Sequence, residues 1–420
     1  MMIVSLLPIH AGANSSSKNQ YASSIITAKI NDHIKKMSLE EKVGQLFLIG
    51  FQGQDLSQGL EKTIEEIKPG GILVFKKNIK SPDAIAELNR KAQLASFKSS
   101  RTPLFVAIDQ EGGRVTRIQT QPGQPSPQAI GITKDQTLAQ DLALEIGTIL
   151  RSLGFNMNLA PVLDVSPEGK KTFIGTRSFG GNVEVVSALS SAFSKGLMNA
   201  NVMPTAKHFP GTGAVENDPH LSVVKKSMDR ESLLNHHVKP YRSFAKLSTN
   251  TAIMISHVVY PEIDNSGLPA TFSKSIMQDL LRRDLGFQGL IVTDDLLMAG
   301  AKVYKTSGES AEAAFNAGAD LLMFAWSRKE QKVAHAYLIE AVKTGKITEE
   351  RLNESVFRIM QAKSAYFHRD DVIPKKINVA AITNSKELRR INNRILNLRK
   401  SQLKKTRLPA PIPRAVSTNS

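Results

Sequence analysis

The stretch Lys207-His208-Phe209-Pro210-Gly211-Thr212-Gly213-Ala214-Val215-Glu216-Asn217-Asp218-Pro219-His220 gathers the residue types that proton transfer requires. An apolar run, Val202–Ala206, precedes it and reads as a short buried strand. The chain then breaks into a loop of Gly and Pro, which suits a site better than a core. Lys207 and His208 stand at the strand's end, and Asp218 and His220 flank Pro219 further on. A carboxylate beside an imidazole fixes the ring's tautomer and stabilises its charged form, making the pair a proton-transfer device. The plainer alternative is a surface Asp–Pro turn with a solvated His.

Such groups need a scaffold, and the apolar pattern supplies one. Gln45–Phe51, Gly71–Phe75, Leu104–Asp109, Asn156–Ala160, Val202–Ala206, Ala252–Ser256, Leu290–Thr293 and Asp320–Phe324 read as eight short strands. They are continuously apolar, as expected of a parallel sheet buried on both faces. Helical spacing marks the segments Ala84–Phe97, Gln136–Leu153, Val183–Asn199, Arg230–Lys246 and Ser310–Ala317. A Ser38 cap with Glu41 behind it announces an earlier helix. This alternation predicts an α/β fold, a (β/α)8 TIM barrel, with a doubly wound open sheet as the competitor.

Barrel enzymes carry their chemistry at the carboxyl ends of the strands. Those ends hold Asp109 and Glu111, then Asn158 and Asp164, Lys207 and His208, His257, and Asp294 with Asp295. Polar groups placed directly after buried strands are costly unless paired or used, so their recurrence at one rim points to an enzyme.

The termini read differently from the centre. The formal net charge is +17, but Lys386–Ser420 holds ten Lys or Arg against the single acid Glu387. Much of the charge therefore belongs to a tail. Within it, Leu388, Ile391, Ile395 and Leu398 predict a basic amphipathic helix over Lys386–Gln402, which either caps the barrel or makes weak contact with an anionic membrane or wall surface. A further amphipathic helix covers Glu349–Tyr366, and the Pro409–Pro413 run is expected to be disordered. Ile3–Ile9 followed by Ala11-Gly12-Ala13 resembles the back of a secretory signal without its basic front; a loose N-terminus is the other reading. Export would place the protein in the periplasm or cell envelope, and its absence in the cytoplasm. The division is residues 1–28 as an N-terminal segment, 29–366 as the catalytic barrel and 367–420 as a basic C-terminal extension. No stretch reaches the roughly 20 apolar residues of a spanning helix. Zero Cys removes disulfides and thiolate chemistry.

Four motifs occur in order: Asp109-Gln110-Glu111-Gly112-Gly113-Arg114-Val115, Gly175-Thr176-Arg177-Ser178-Phe179-Gly180, Lys207-His208-Phe209-Pro210-Gly211 and Thr293-Asp294-Asp295-Leu296. Together they make the region from about residue 36 to 365 resemble the bacterial β-N-acetylglucosaminidases of glycoside hydrolase family 3. The resemblance implies a retaining glycosidase releasing terminal N-acetylglucosamine (GlcNAc) from peptidoglycan fragments or chitin-type oligosaccharides. It implies Asp294 as nucleophile, His220 supported by Asp218 as acid/base, and Asp109, Arg117, Arg177, Lys207 and His208 as the sugar-binding set. Most retaining glycosidases use a second carboxyl group where this branch uses His. The sequence departs from the family pattern at Pro219, usually Ser, and at Thr212, commonly His; the first stiffens the loop and the second removes a polar contact. On the residues alone, Asp294 also fits a helix cap, Arg177 and Lys207 a structural salt bridge, and His257 either support or substrate contact.

Other classes fit less well. His208, His220 and His257 match no compact metal-ligand spacing, so no metal is expected. Neither phosphate-cradling nor dinucleotide glycine motifs are present, and no cofactor is expected. No nucleic-acid partner is expected either, and a monomer is. A non-catalytic wall-binding barrel would not need Asp294, Asp218 and His220 together. Phosphorolysis stays open, because a neutral His does not repel incoming phosphate.

Overall fold

The computed structural model describes residues 16–166, 172–212, 223–368, 371, 373 and 376–406. Eight strands form the centre: β1 Phe47–Gly50, β2 Gly71–Val74, β3 Phe105–Ile108, β4 Met157–Asn158, β5 Met203–Phe209, β6 Ala252–Ile255, β7 Leu290–Thr293 and β8 Leu322–Phe324. Every residue of these strands is buried, which explains why apolar residues dominate them. Each pairs in parallel with the next, and β1 also pairs with β8, Phe47 opposite Leu322. Between β7 and β8, Asp320 N–H donates to the Ile291 carbonyl at 2.7 Å and Thr293 N–H to the Leu321 carbonyl at 3.0 Å. An open sheet would leave those edges apart. The sheet closes, and the fold is the (β/α)8 barrel.

The expected helices form with small shifts in boundary. Pro82–Ser100 starts on a Ser81 cap with Pro at its first position, where the missing N–H costs nothing. Ser38 and Glu41 make the expected reciprocal capping box ahead of Leu39–Gln45. Gln136–Ser152, Val183–Asn199, Ser307–Ala317 and Glu349–Tyr366 follow the predicted segments. Arg230–Ala245 is helical as well, but widens to π geometry over Leu233–Val238. Ser16–Lys36, Gln58–Ile67, Arg328–Lys343 and the π-wound Ser275–Asp284 are helices that the pattern reading did not mark. No described helix is long and apolar enough to cross a membrane.

The basic C-terminal helix, Lys386–Thr406, lies on the outside of this layer against Pro127–Thr133 and Gln136–Ser152. Leu388, Ile391 and Ile395 are buried there. Arg390 pairs with Asp141 at 2.8 Å and Arg394 with Asp135, so part of the tail's charge meets acids of the barrel's own helices.

Candidate active site

A cavity of about 260 Å³ opens at the carboxyl ends of the strands. Asp109, Arg117, Arg177, Lys207, His208 and Asp294 all line it. The site residues proposed from the sequence within the described chain therefore converge. Asp218 and His220 lie outside the described residues.

The loop after β3 is shaped by its composition. Buried Gln110 accepts from Arg117 N–H at 2.7 Å and Ile118 N–H at 3.0 Å, drawing the loop back over the barrel. Gly112 and Gly113 take positive φ, and a Cβ on Gly112 would sit 2.4 Å from the Pro125 carbonyl oxygen. The tight turn delivers Asp109, Glu111 and Arg117 to one hollow.

β5 runs further than the sequence indicated, to Phe209, so Lys207 and His208 lie inside it with only Phe209 beyond them. The strand continues because its backbone stays paired: Lys207 N–H donates to the Pro161 carbonyl and Ser256 N–H to that of Phe209. Lys207, 2% exposed, donates from Nζ to Asp109 Oδ1 at 2.6 Å and meets Glu111 Oε1 at 2.8 Å. Arg177, carried by the short turn Gly175–Arg177, grips Glu111 with Nε at 2.8 Å and Nη2 at 2.7 Å. Arg117 stands 3.7 Å from Asp109, and its Nε has no partner among the described residues.

These contacts fix the charges. Burial alone would favour protonated Glu111, but Arg177 and Lys207 override it and hold the carboxyl far below the usual range. Burial likewise opposes charge on Lys207, and Asp109 and Glu111 raise its pKa above the ordinary lysine value. Arg177 and Lys207 are thus in salt bridges, as their alternative reading held, while also lining the cavity. Glu111 anchors both. Its place three residues after the end of β3, two beyond Asp109, was the available signal for that role.

His208 is oriented from behind. Its Nδ1 lies 2.7 Å from Asp164 Oδ2, and Asp164 also accepts from the Thr212 hydroxyl at 2.9 Å and from Thr212 N–H. Burial would raise the Asp164 pKa, yet His208 and Thr212 bring it down. Thr212 thereby makes a contact to buried Asp164. Across the barrel, Asp294 Oδ1 accepts from Asp295 N–H at 2.8 Å, and no helix starts there. Asp295 turns to backbone, accepting from Leu297 and Ala325 N–H. His257 is buried between Thr271 Oγ1 at 2.7 Å and the Asp295 carbonyl at 3.0 Å, which makes it a support of that loop. Phe75 and Trp326 complete the wall near the mouth. Trp326, the sole Trp, follows β8 by two residues, the same positional signal that picked out the charged groups.

Among the described residues no three His, Asp or Glu side chains converge as metal ligands. The arrangement instead offers fixed N–H donors and a carboxylate acceptor around a cavity holding a further carboxylate, which suits a polyhydroxyl ligand.

Comparison with known proteins agrees with this. Residues 38–362 match the glycosyl hydrolase family 3 N-terminal domain. The chain is 34% identical over 350 residues to beta-hexosaminidase A of Pseudoalteromonas piscicida, covering 78% of this chain and 57% of that protein. It is 35% identical over 274 residues to a Pseudomonas aeruginosa beta-hexosaminidase, covering 64% and 79%. A family 3 beta-N-acetylglucosaminidase from Paenibacillus superposes with a TM-score of 0.80 at 36% identity, over 86% of this chain and 69% of that one.

Proposed function

Because the chain belongs to glycosyl hydrolase family 3, we propose that it is a retaining exo-β-N-acetylglucosaminidase, with peptidoglycan fragments or chitin-type oligosaccharides as substrates. Residues 29–366 form the catalytic unit in this reading. The observation that carries it is one shared cavity: Asp294, closing β7, faces the same hollow as Asp109 and Lys207 from β3 and β5.

Asp109 accepts hydrogen bonds from the sugar's hydroxyls, and Lys207, Arg177, Arg117 and His208 donate around it. Three cations then stand against the three carboxylates Asp109, Glu111 and Asp294, so the sugar enters a charge-balanced floor. Asp294 attacks the anomeric carbon as the glycosidic bond breaks, and His220 gives its proton to the departing oxygen. Water, deprotonated by the same imidazole, then releases the sugar from Asp294 with net retention. Asp218 holds the ring's tautomer throughout.

Asp294→Ala should leave the melting temperature near wild type and abolish turnover of an aryl N-acetylglucosaminide. Near-normal rates in that variant would remove Asp294 from the role. In phosphate buffer, free GlcNAc is the expected product, and accumulation of GlcNAc-1-phosphate would replace hydrolysis by phosphorolysis.

A further inference from the structure

We infer that Lys226 is a positioning residue of the active site: its ammonium holds the Gly211–Thr212 peptide on Asp164, and through Asp164 the His208 ring at the cavity wall. The inference rests on the proposed glycosidase reading and adds to it a residue that does not itself line the cavity.

Lys226 follows the short strand Val224–Lys225, which pairs in parallel with Val258–Val259 outside the barrel sheet. Its own N–H donates to the Val259 carbonyl at 2.9 Å, which fixes where the side chain starts. That side chain is buried, and Nζ donates to the Gly211 carbonyl at 3.0 Å. Buried Tyr260 donates its hydroxyl to the same oxygen at 3.2 Å. Gly211 takes φ +126°, and a Cβ on it would lie 2.8 Å from that of His237, so the backbone packs directly on His237. A cation buried at such a place is costly unless it is used.

Its use lies in what one peptide unit joins. The Gly211 carbonyl and the Thr212 N–H belong to a single planar group and point in opposite directions. Lys226 and Tyr260 hold one end; the other donates to Asp164 Oδ1, which also takes the Thr212 hydroxyl at 2.9 Å. A cation on the carbonyl polarises the N–H and strengthens its bond to the carboxylate. Asp164 Oδ2 in turn accepts from His208 N–H at 3.3 Å and lies 2.7 Å from Nδ1. Ionised Asp164 can only accept, so Nδ1 carries the proton and Nε2 is left for a ligand. The order is cation, peptide, carboxylate and imidazole, and the imidazole is the member that lines the cavity.

Burial brings the Lys226 pKa down to about 8, against the pull of the Asp164 charge. The groups around it keep their states near that pH. Burial holds His237 neutral down to about 3 and raises Tyr241 and Tyr260 above the ordinary tyrosine range, while Asp164 stays below the usual carboxylate value. The ammonium is therefore present at pH 7 and lost as pH rises through about 8.

The test uses the full chain and kcat/KM per folded molecule on an aryl N-acetylglucosaminide. Lys226→Met should lower it about tenfold at pH 7. In a His208→Ala background the same substitution should cost no more than about twofold, because the ring it acts through is gone. The ratio of wild type to Lys226→Met, from which limbs common to both proteins cancel, should fall from about tenfold at pH 7 to about twofold or less at pH 9.5. A merely structural lysine would move neither the ratio nor the difference between backgrounds. Lys226→Arg, which keeps a cation, should recover part of the loss. Equal losses in both backgrounds, a ratio that does not change with pH, or wild-type turnover in Lys226→Met each overturn the inference. If wild type turns over no N-acetylglucosaminide, the glycosidase reading falls, and this inference falls with it.

Discussion

Lys207→Met separates the structural and functional duties of the buried ion network. The variant removes a cation 2% exposed that lies 2.6 Å from Asp109 and 2.8 Å from Glu111. Taking one partner from a buried ion pair costs about 3–5 kcal/mol. Glu111 keeps the two-pronged grip of Arg177, and Asp109 is 17% exposed with Arg117 at 3.7 Å, so both stranded carboxylates retain some relief. The cost should therefore sit near the lower limit, about 3 kcal/mol, equivalent to a fall in melting temperature of roughly 5–10 °C. Adding Asp109→Asn removes one uncompensated charge and should restore about half of that loss. Activity should not follow. If Asp109 and Lys207 both hold the sugar, the double variant stays roughly 10–100-fold or more below wild type in kcat/KM on an aryl N-acetylglucosaminide, the equivalent of a lost charged hydrogen bond. Thermal unfolding and steady-state kinetics on the four proteins of the cycle decide it. A double variant regaining stability and near-wild-type turnover together would make the pair purely structural. An unchanged melting temperature for Lys207→Met would refute the reasoning about burial.

His220→Ala should slow a GlcNAc disaccharide far more than an aryl glycoside with a good leaving group, because acid assistance matters least when departure is easy; equal losses would count against the general acid. His237 is buried, and that burial, aided by the Lys226 charge, depresses its pKa to about 3. The unfolded chain takes up the proton first as pH falls from 6.5 to about 3, so wild type should lose about 2–3 kcal/mol more than His237→Leu between pH 7 and 4.5 in denaturant titrations. A parallel loss in both would show that His237 does not drive acid unfolding. Asp320→Asn should lower stability by about 3 kcal/mol and leave kcat/KM per folded molecule unchanged; a selective loss of kcat/KM would mean the lower end of the barrel feeds into the site.

Much of the scaffold was legible because burial writes itself into the strands. A strand covered on both faces has no polar positions to alternate, so Phe105–Ile108 or Leu290–Thr293 could be read directly. The strand ends were legible for the opposite reason: a polar residue after a buried run is conspicuous, and Asp109, Lys207 and Asp294 do share one cavity. Among what escaped, three cases have a physical reason. Ser275–Asp284 is wound as a π-helix, so a search for 3.6-residue spacing misses it. The end of β5 depends on a hydrogen bond from Lys207 N–H to the Pro161 carbonyl and one from Ser256 N–H to the Phe209 carbonyl, partners 46 or more positions away in sequence. Glu111's anchoring of Arg177, 66 residues distant, and Lys207 likewise arises only when the barrel closes. Pairings of that kind carry no local signature.

Two of the buried ionic clusters among the described residues show why position alone is insufficient and saturation is informative. Asp320, just before β8 and 0% exposed, accepts from Arg282 at 2.5 Å, Ile291 N–H at 3.0 Å, Ser355 at 2.6 Å and Arg358 at 3.2 Å. Its lone pairs are spent on the protein, and it joins β7 to the helices Ser275–Asp284 and Glu349–Tyr366 at the end of the barrel away from the cavity. Asp109 has Lys207 on one oxygen at 2.6 Å and, among the described residues, only Arg117, at 3.7 Å, near the other. A carboxylate half-satisfied at the edge of a hollow keeps acceptor capacity that a hydroxyl can use, and the neighbouring cations hold its geometry before any ligand arrives. The same chemical parts therefore do different work at the two ends. Where every acceptor is filled, the cluster binds the fold together; where one is left facing space, the cluster is prepared for something the chain does not itself contain.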